Sequence, residues 1–207
     1  AAIRRTPTMG TRTEILIVDD GSRDRTAELA RREAETDPRV RVVSYTPNRG
    51  KGYAVQQGFR AATGDVVMIL DADMAVMPEE LPRFFAAIDH GAAEFVNGTS
   101  MVYPMAEASM KLLNFFGNKM FGIILSLIME QRNTDTLCGT KAFLRRDLPD
   151  IPWSDTSWGD FDLLFGASKL RLRMAELPVH YQARTAGESK MKAWKHGWKL
   201  LKVGLHG

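Results

Sequence analysis

The chain has 207 residues, 44% hydrophobic and 26% charged, which is the make-up of an ordinary globular domain large enough to bury one core. Cys138 is the sole cysteine, which excludes an intrachain disulfide and a thiolate metal cluster and agrees with a reducing compartment. The longest uncharged apolar run, Met120 to Met129, is too short for a membrane span of about 20 residues, and no signal-peptide pattern opens the chain.

In chain order, Ala1 to Pro7 reads as the end of a helix entering a Gly/Thr loop. Glu14 to Val18 is an apolar run that stops at Asp19, Asp20, Gly21 and Ser22. Ser22 or Asp24 can cap a helix from Arg25 to about Thr36. Val40 to Tyr45 is a second strand pattern, and Asn48 to Gly52 is a basic, glycine-rich loop opening a helix to about Thr63. Val66 to Leu70 is unbroken, apolar and rich in β-branched residues, as expected of a strand covered on both faces of a parallel sheet. It stops at Asp71, Ala72 and Asp73. Glu79 to Asp89 is helical in pattern and Glu94 to Asn97 strand-like. Ala106 to Glu130 has helical spacing and a heavy load of Phe, Met, Ile and Leu, with Gly117 and Gly122 placed to break or kink it. Cys138 to Leu144 reads as a strand, Asp160 to Lys169 as a helix and Met174 to Tyr181 as a strand. Lys190 to Val203 is a basic amphipathic helix carrying Trp194 and Trp198. Alternating strands and helices predict an α/β fold with a parallel sheet and right-handed crossovers.

Three stretches carry chemistry. Asp71 and Asp73 are alternate residues at a strand end, so on extended backbone both carboxylates can converge on one point. Such hard oxygen ligands suit Mg²⁺ or Mn²⁺ holding a diphosphate, and a solvated acidic turn before Pro78 is the competing reading. Asp19 and Asp20 also end a strand, where a carboxylate can accept hydrogen bonds from a nucleobase or ribose, or simply shape a turn. Asn48 to Gly52 offers backbone N–H groups, a helix N-terminus and the charges of Arg49 and Lys51, a set that can cradle an anion or lie solvated. The spacing is not that of a Walker loop or a Rossmann fingerprint. The four histidines fall at no metal-ligand spacing, and no Ser/His/Asp order can be defended from their positions.

In order and spacing, Asp19-Asp20-Gly21-Ser22, Asn48 to Gly52, Asp71-Ala72-Asp73, Asp135 to Lys141, Asp160 to Leu164 and Arg184 to Lys190 resemble the family 2 inverting glycosyltransferases. Within them the chain is most similar to the dolichol-phosphate mannose synthase and polyprenyl-phosphate hexosyltransferase group. The resemblance implies a GT-A-type α/β fold: a nucleotide-binding sheet, mainly parallel, with a mixed acceptor-side half and helices on both faces. It implies transfer of one sugar from a UDP- or GDP-sugar, with a polyprenyl phosphate favoured over a saccharide hydroxyl as acceptor. Asp19, Asp20, Asn48, Arg49 and Lys51 are then assigned to the nucleotide, and Asp71 and Asp73 to Mg²⁺ or Mn²⁺. Asp160 and Asp162 are assigned to polarising the nucleophile, although Asp160 can equally cap its helix. Lys141, Arg184, Ser189 and Lys190 are assigned to acceptor or diphosphate contacts.

Several features depart from that group. Its usual first strand, with a Pro and an Asn-Glu pair, and the helix after it have no match beyond Ala1 to Arg5. Residues 1–207 therefore read as a single domain lacking its first β-α unit, which leaves a gap beside the nucleoside pocket and puts the activity of this chain in question. The stretch Gly98-Thr99-Ser100 lacks an Arg found in synthase relatives, and Ala75 replaces a polar residue. No Gln-x-x-Arg-Trp motif of processive synthases is present, which argues against polymer synthesis. A nucleotidyltransferase is disfavoured by the lack of an opening glycine-rich loop, and a nucleotide- or membrane-binding module without turnover is the remaining rival. The apolar stretch at 105–129 and the basic closing helix are expected to touch a membrane, or a neighbouring subunit. A cytoplasmic protein, peripheral on the membrane's cytoplasmic face, is expected, with no nucleic-acid partner.

Overall fold

In the computed structural model, residues 2–100, 123, 126, 127, 130, 131, 133–136, 138–153 and 159–182 are described. In chain order the elements are α1 (Ala2–Arg5), β1 (Ile15–Asp20), α2 (Thr26–Thr36), β2 (Val40–Tyr45), α3 (Lys51–Ala61) and β3 (Val66–Ile69). A 3₁₀ turn (Pro78–Glu80) then leads into α4 (Leu81–Asp89), followed by β4 (Phe95–Thr99) and β5 (Lys141–Leu144). A 3₁₀ stretch (Arg145–Asp150), α5 (Asp160–Lys169) and β6 (Met174–Pro178) complete the described elements.

The boundaries shift where side chains compete with the pattern. Asp19 and Asp20 lie inside β1 rather than after it. Of the two cap candidates for α2, Asp24 accepts from the Thr26 N–H at 3.0 Å, whereas the Ser22 N–H turns back to donate to Asp19. The expected strand from Cys138 begins only at Lys141, because the residues before it are held by a buried carboxylate described below.

The strands form a two-stranded sheet, β1-β2, and a four-stranded sheet in the order β3-β5-β4-β6. β1 and β2 are parallel, from Ile15 opposite Val40 to Asp20 opposite Tyr45. In the larger sheet β5 runs antiparallel to both β3 and β4, and β4 is parallel to β6. This is the mixed half expected. β3 lies at the edge of its sheet, so Val66, Met68 and Ile69 are only half-buried rather than covered on both faces.

Side chains alternate across the larger sheet with the period of 2 that a pleated strand imposes. Val67, Phe95 and Phe143 face one side with Leu163, Leu164 and Ala167 of α5 and Ile151. Val96 and Ala142 face the other with Phe84 and Ile88 of α4. Phe84, Phe95 and Phe143 are fully buried, so truncating any one to Ala costs about 3–5 kcal/mol. α3 spans both sheets. Val55 and Phe59 pack on the α5 side of the larger sheet, the Phe59 ring edge-on to Phe143, while Gly58 lies against Val18 of β1. That bridging helix carries Lys51 to the carboxyl end of β3.

Candidate active site

β3 stops because Asp73 folds the chain over: its Oδ1 accepts from the Ala75 N–H at 3.0 Å, an Asx-type turn. Met74, between them, takes a left-handed φ of 60°, a conformation a non-glycine residue holds only when its surroundings impose it. The turn leaves Asp71 half-buried, in contact with three other segments.

The first contact is α3. Lys51 is its opening residue, and its Nζ lies 2.9 Å from Asp71 Oδ1 and 3.2 Å from Oδ2. The second is α5. The same nitrogen lies 3.0 Å from Oδ2 of Asp160, the opening residue of α5, and the two helices start against each other with Gly159 packed on Gly52. The third is the segment entering β5. A Cβ at Gly139 would stand 2.2 Å from Asp71 Oδ2, so only glycine admits the carboxylate there.

Burial pushes the Lys51 ammonium down, but the Asp160 and Asp71 carboxylates more than reverse this and hold it above its ordinary value. Lys141 is fully buried, its Nζ donating to the Cys138 carbonyl and lying 3.5 Å from Asp160 Oδ1. It thus neutralises Asp160 from inside the protein and is closed to an acceptor in this arrangement. Asp162 is buried in the first turn of α5. Residues two apart on a helix do not share a face, so Asp160 and Asp162 point in different directions from the start of α5.

The Asp135 to Lys141 segment reaches Asp71 because Asp135 is a buried hub. Its Oδ2 accepts from Ser100 N–H at 2.9 Å and Ser100 Oγ at 2.6 Å, and its Oδ1 accepts from Cys138 N–H at 3.2 Å. Asn97 Nδ2 donates to the Asp135 carbonyl at 2.6 Å, and Glu176 on β6 accepts from the N–H and Oγ of Thr134 at 2.7 and 2.9 Å. This explains why the end of β4, Asn97 to Ser100, is polar yet buried. Ser100 is committed to this hub by both its N–H and its hydroxyl. Cys138 lies within it, and burial, with Asp135 nearby, pushes its thiol up to about 11. Asp135 and Gly139 carry no assigned role in the sequence pattern, where their only signal is an acid opening the stretch and a glycine at its turn.

The Asp19/Asp20 pair is closed by neutral donors. Asp20 accepts from Arg49 N–H at 2.7 Å and Gly50 N–H at 2.8 Å, and its carbonyl accepts from Asn48 Nδ2 at 2.7 Å. Asp19 accepts from Ser22 N–H at 3.1 Å and Ser44 Oγ at 2.8 Å. Two of the backbone N–H groups of the expected anion cradle are therefore already taken by a carboxylate of the protein's own. Gly21, at φ 67°, lets the two turns meet: a Cβ there would stand 2.9 Å from the Asn48 nitrogen. Burial, then Asp20, pushes the Tyr45 phenol above its ordinary value. Beside it the exposed Arg49 guanidinium lies 4.7 Å from the centre of the Tyr53 ring, which meets Tyr45 edge-on.

Of the expected site residues, Lys51, Asp71, Asp160 and Lys141 are brought together through direct contacts. Asp73 joins them through its turn, and Asp19, Asp20, Asn48 and Arg49 form a second cluster at the other end of the Asn48 to Gly52 loop. Arg184, Ser189 and Lys190 lie outside the described residues, as do most of the apolar stretch at 105–129 and the basic closing helix.

The Glycosyl transferase family 2 profile matches residues 2–150. A dolichyl-phosphate hexose transferase of Haloferax volcanii is 33% identical over 186 residues, covering 90% of this chain and 77% of that protein. An undecaprenyl-phosphate mannosyltransferase of Micrococcus luteus is 31% identical over 203 residues, covering 92% of this chain and 81% of the other. Among solved structures, glucosyl-3-phosphoglycerate synthase from Mycobacterium tuberculosis, in complex with Mn²⁺, UDP and glucosyl-3-phosphoglycerate, superposes with a TM-score of 0.67 at 18% identity. That match covers 93% of this chain and 67% of that one.

Proposed function

Because the chain belongs to glycosyl transferase family 2, we propose that it moves a single sugar, with inversion, from a UDP- or GDP-sugar to a polyprenyl phosphate. It is a glycosyltransferase of mixed α/β, GT-A-type fold. Both relatives act on polyprenyl phosphates, which supports the acceptor.

Mg²⁺ or Mn²⁺ supplies charge neutralisation for the departing diphosphate. Asp71 and Asp73 would hold it, and the Mn²⁺ and UDP of the synthase structure support a divalent cation. The donor set fits. Asp71 offers hard carboxylate oxygens and already faces a cation, the Lys51 ammonium. Arg49, exposed above Tyr53, is placed to reach a nucleotide, while Asn48, Asp19 and Asp20 frame its loop.

The observation that carries the acceptor assignment is the environment of Asp160. Its Oδ2 faces Lys51 at 3.0 Å and its Oδ1 faces Lys141 at 3.5 Å. A hydroxyl acceptor needs a base whose oxygen can take its proton. A phosphate monoester needs none, since its second ionisation lies near pH 6 and it arrives charged. With both oxygens already facing ammonium groups, Asp160 is poorly placed to take a proton from a hydroxyl, which supports an acceptor that arrives charged. Arg184, Ser189 and Lys190 are assigned to closing over the phosphates, as the family resemblance implies.

Among the described residues no helix is long and apolar enough to cross a membrane. Ile123 and Leu127 are both exposed, which supports a peripheral membrane contact. Flotation with anionic vesicles at low salt is expected to carry the protein upward, and protein left at the bottom would count against that contact.

The test of function is transfer from radiolabelled UDP- and GDP-sugars to undecaprenyl or dolichyl phosphate with Mn²⁺. A mild-acid-labile glycosyl phosphate lipid is the expected product. Label found only on a saccharide hydroxyl, or nucleotide binding without turnover, would overturn the proposal.

A further inference from the structure

Lys51 stands where a helix does not favour a cation. It opens α3, whose first turn carries no acid, and a helix N-terminus bears the positive end of the macrodipole. The carboxylates of two other elements hold it there, Asp71 from the end of β3 and Asp160 from the start of α5. Both oxygens of Asp71 lie within 3.2 Å of this one nitrogen. Gly139 is packed against the same carboxylate, so it has no room to swing toward the entry of β5. A divalent cation bound through Asp71 would sit about 2 Å from one of these oxygens. Like charges that close repel strongly in a partly buried site. Metal and ammonium therefore compete for Asp71.

We propose that Lys51 is the resident cation of this site: it occupies Asp71 until a metal and a nucleoside diphosphate arrive together, and then passes to the diphosphate. This rests on the assignment of Asp71 as a metal ligand. Two consequences follow from the geometry. Metal alone must displace an ammonium that has nowhere better to go, so it binds weakly. A diphosphate gives the displaced ammonium a new anion, so metal and nucleotide each tighten the other's binding by the same factor.

The test measures Mn²⁺ affinity by the electron paramagnetic resonance of free Mn²⁺, with and without UDP or GDP, in the parent, Lys51→Met and Lys51→Arg. The parent is expected to bind Mn²⁺ at least tenfold more tightly when a diphosphate is present. Lys51→Met is expected to bind Mn²⁺ alone at least tenfold more tightly than the parent, with the coupling to diphosphate reduced. Lys51→Arg, which keeps the charge, is expected to follow the parent. Equal Mn²⁺ affinity in Lys51→Met and the parent would overturn the exchange while leaving Asp71 as a metal ligand. No Mn²⁺ binding by the parent with either diphosphate would overturn that assignment and the exchange together. The parent tests the idea even if Lys51→Met fails to fold, because a Mn²⁺ affinity unmoved by diphosphate contradicts it.

Discussion

Two turns of this chain look alike as sequence, a strand ending in paired acids, and they meet opposite fates. At the end of β1 each carboxylate is closed by neutral donors: Arg49 and Gly50 N–H on Asp20, and Ser22 N–H and Ser44 Oγ on Asp19. At the end of β3 the corresponding charge on Asp71 is met by an ammonium that Asp160 shares. Backbone N–H groups cannot leave, so the first pair is part of the fold. A lysine side chain can leave, which is what the proposed exchange of one cation for another at Asp71 requires. The partner of a carboxylate, more than its position on a strand, separates scaffold from chemistry.

The largest effect expected from breaking this contrast belongs to Asp71→Asn. Metal-dependent binding of UDP or GDP should fall about hundredfold or more, above the 10–100-fold typical of groups that only support a metal ligand. Calorimetry with Mn²⁺ reads the loss, and circular dichroism should show the fold intact. Affinity equal to the parent's would make Asp71 a scaffold acid like Asp20.

Asp160→Asn should lower kcat by less than about hundredfold with a polyprenyl phosphate acceptor, near the low end of what losing a base costs. No general-base limb should vanish from the pH profile. A loss of three or more orders of magnitude would indicate a hydroxyl acceptor. Asp20→Ala should act on stability instead, since it strands the Arg49 and Gly50 N–H groups: about 1–3 kcal/mol in urea denaturation. If it left stability untouched and abolished nucleotide binding, the contrast between the two turns would be reversed.

The smallest effect sharpens the comparison through pH. Hydrogen bonds from Ser22, then Ser44, hold Asp19 below its ordinary 3.8 against the upward push of burial. A depressed folded value means that this stabilisation is fully present above 3.8 and lost as pH falls through the folded value. Ser44→Ala should therefore cost about 0.5–1.5 kcal/mol at pH 7 and progressively less in acid. Denaturation midpoints at the two pH values check this, and a pH-independent cost would show that Ser44 acts by packing.

Much of this protein is legible without coordinates. Periodicity places every described strand and α-helix to within a few residues, since the apolar period follows from backbone geometry alone, but it gives no sign of the 3₁₀ stretch Arg145–Asp150. Asp160–Lys169 and Val40–Tyr45 emerge with the bounds expected. The acidic and glycine-rich stretches were equally visible, because strand ends and helix starts are local features. Tertiary structure alone decided which acids act together. Asp71 and Asp160 are far apart in sequence and meet only because α3 spans both sheets and carries Lys51 between them. Asp135 and Gly139 matter only through contacts made across the sheet, so no local pattern could assign them. The gap between the two sheets is likewise a property of hydrogen-bond pairing, which sequence periodicity does not encode. Propensity and spacing act over a few residues, whereas the partner that turns a carboxylate into scaffold or site arrives from elsewhere in the chain.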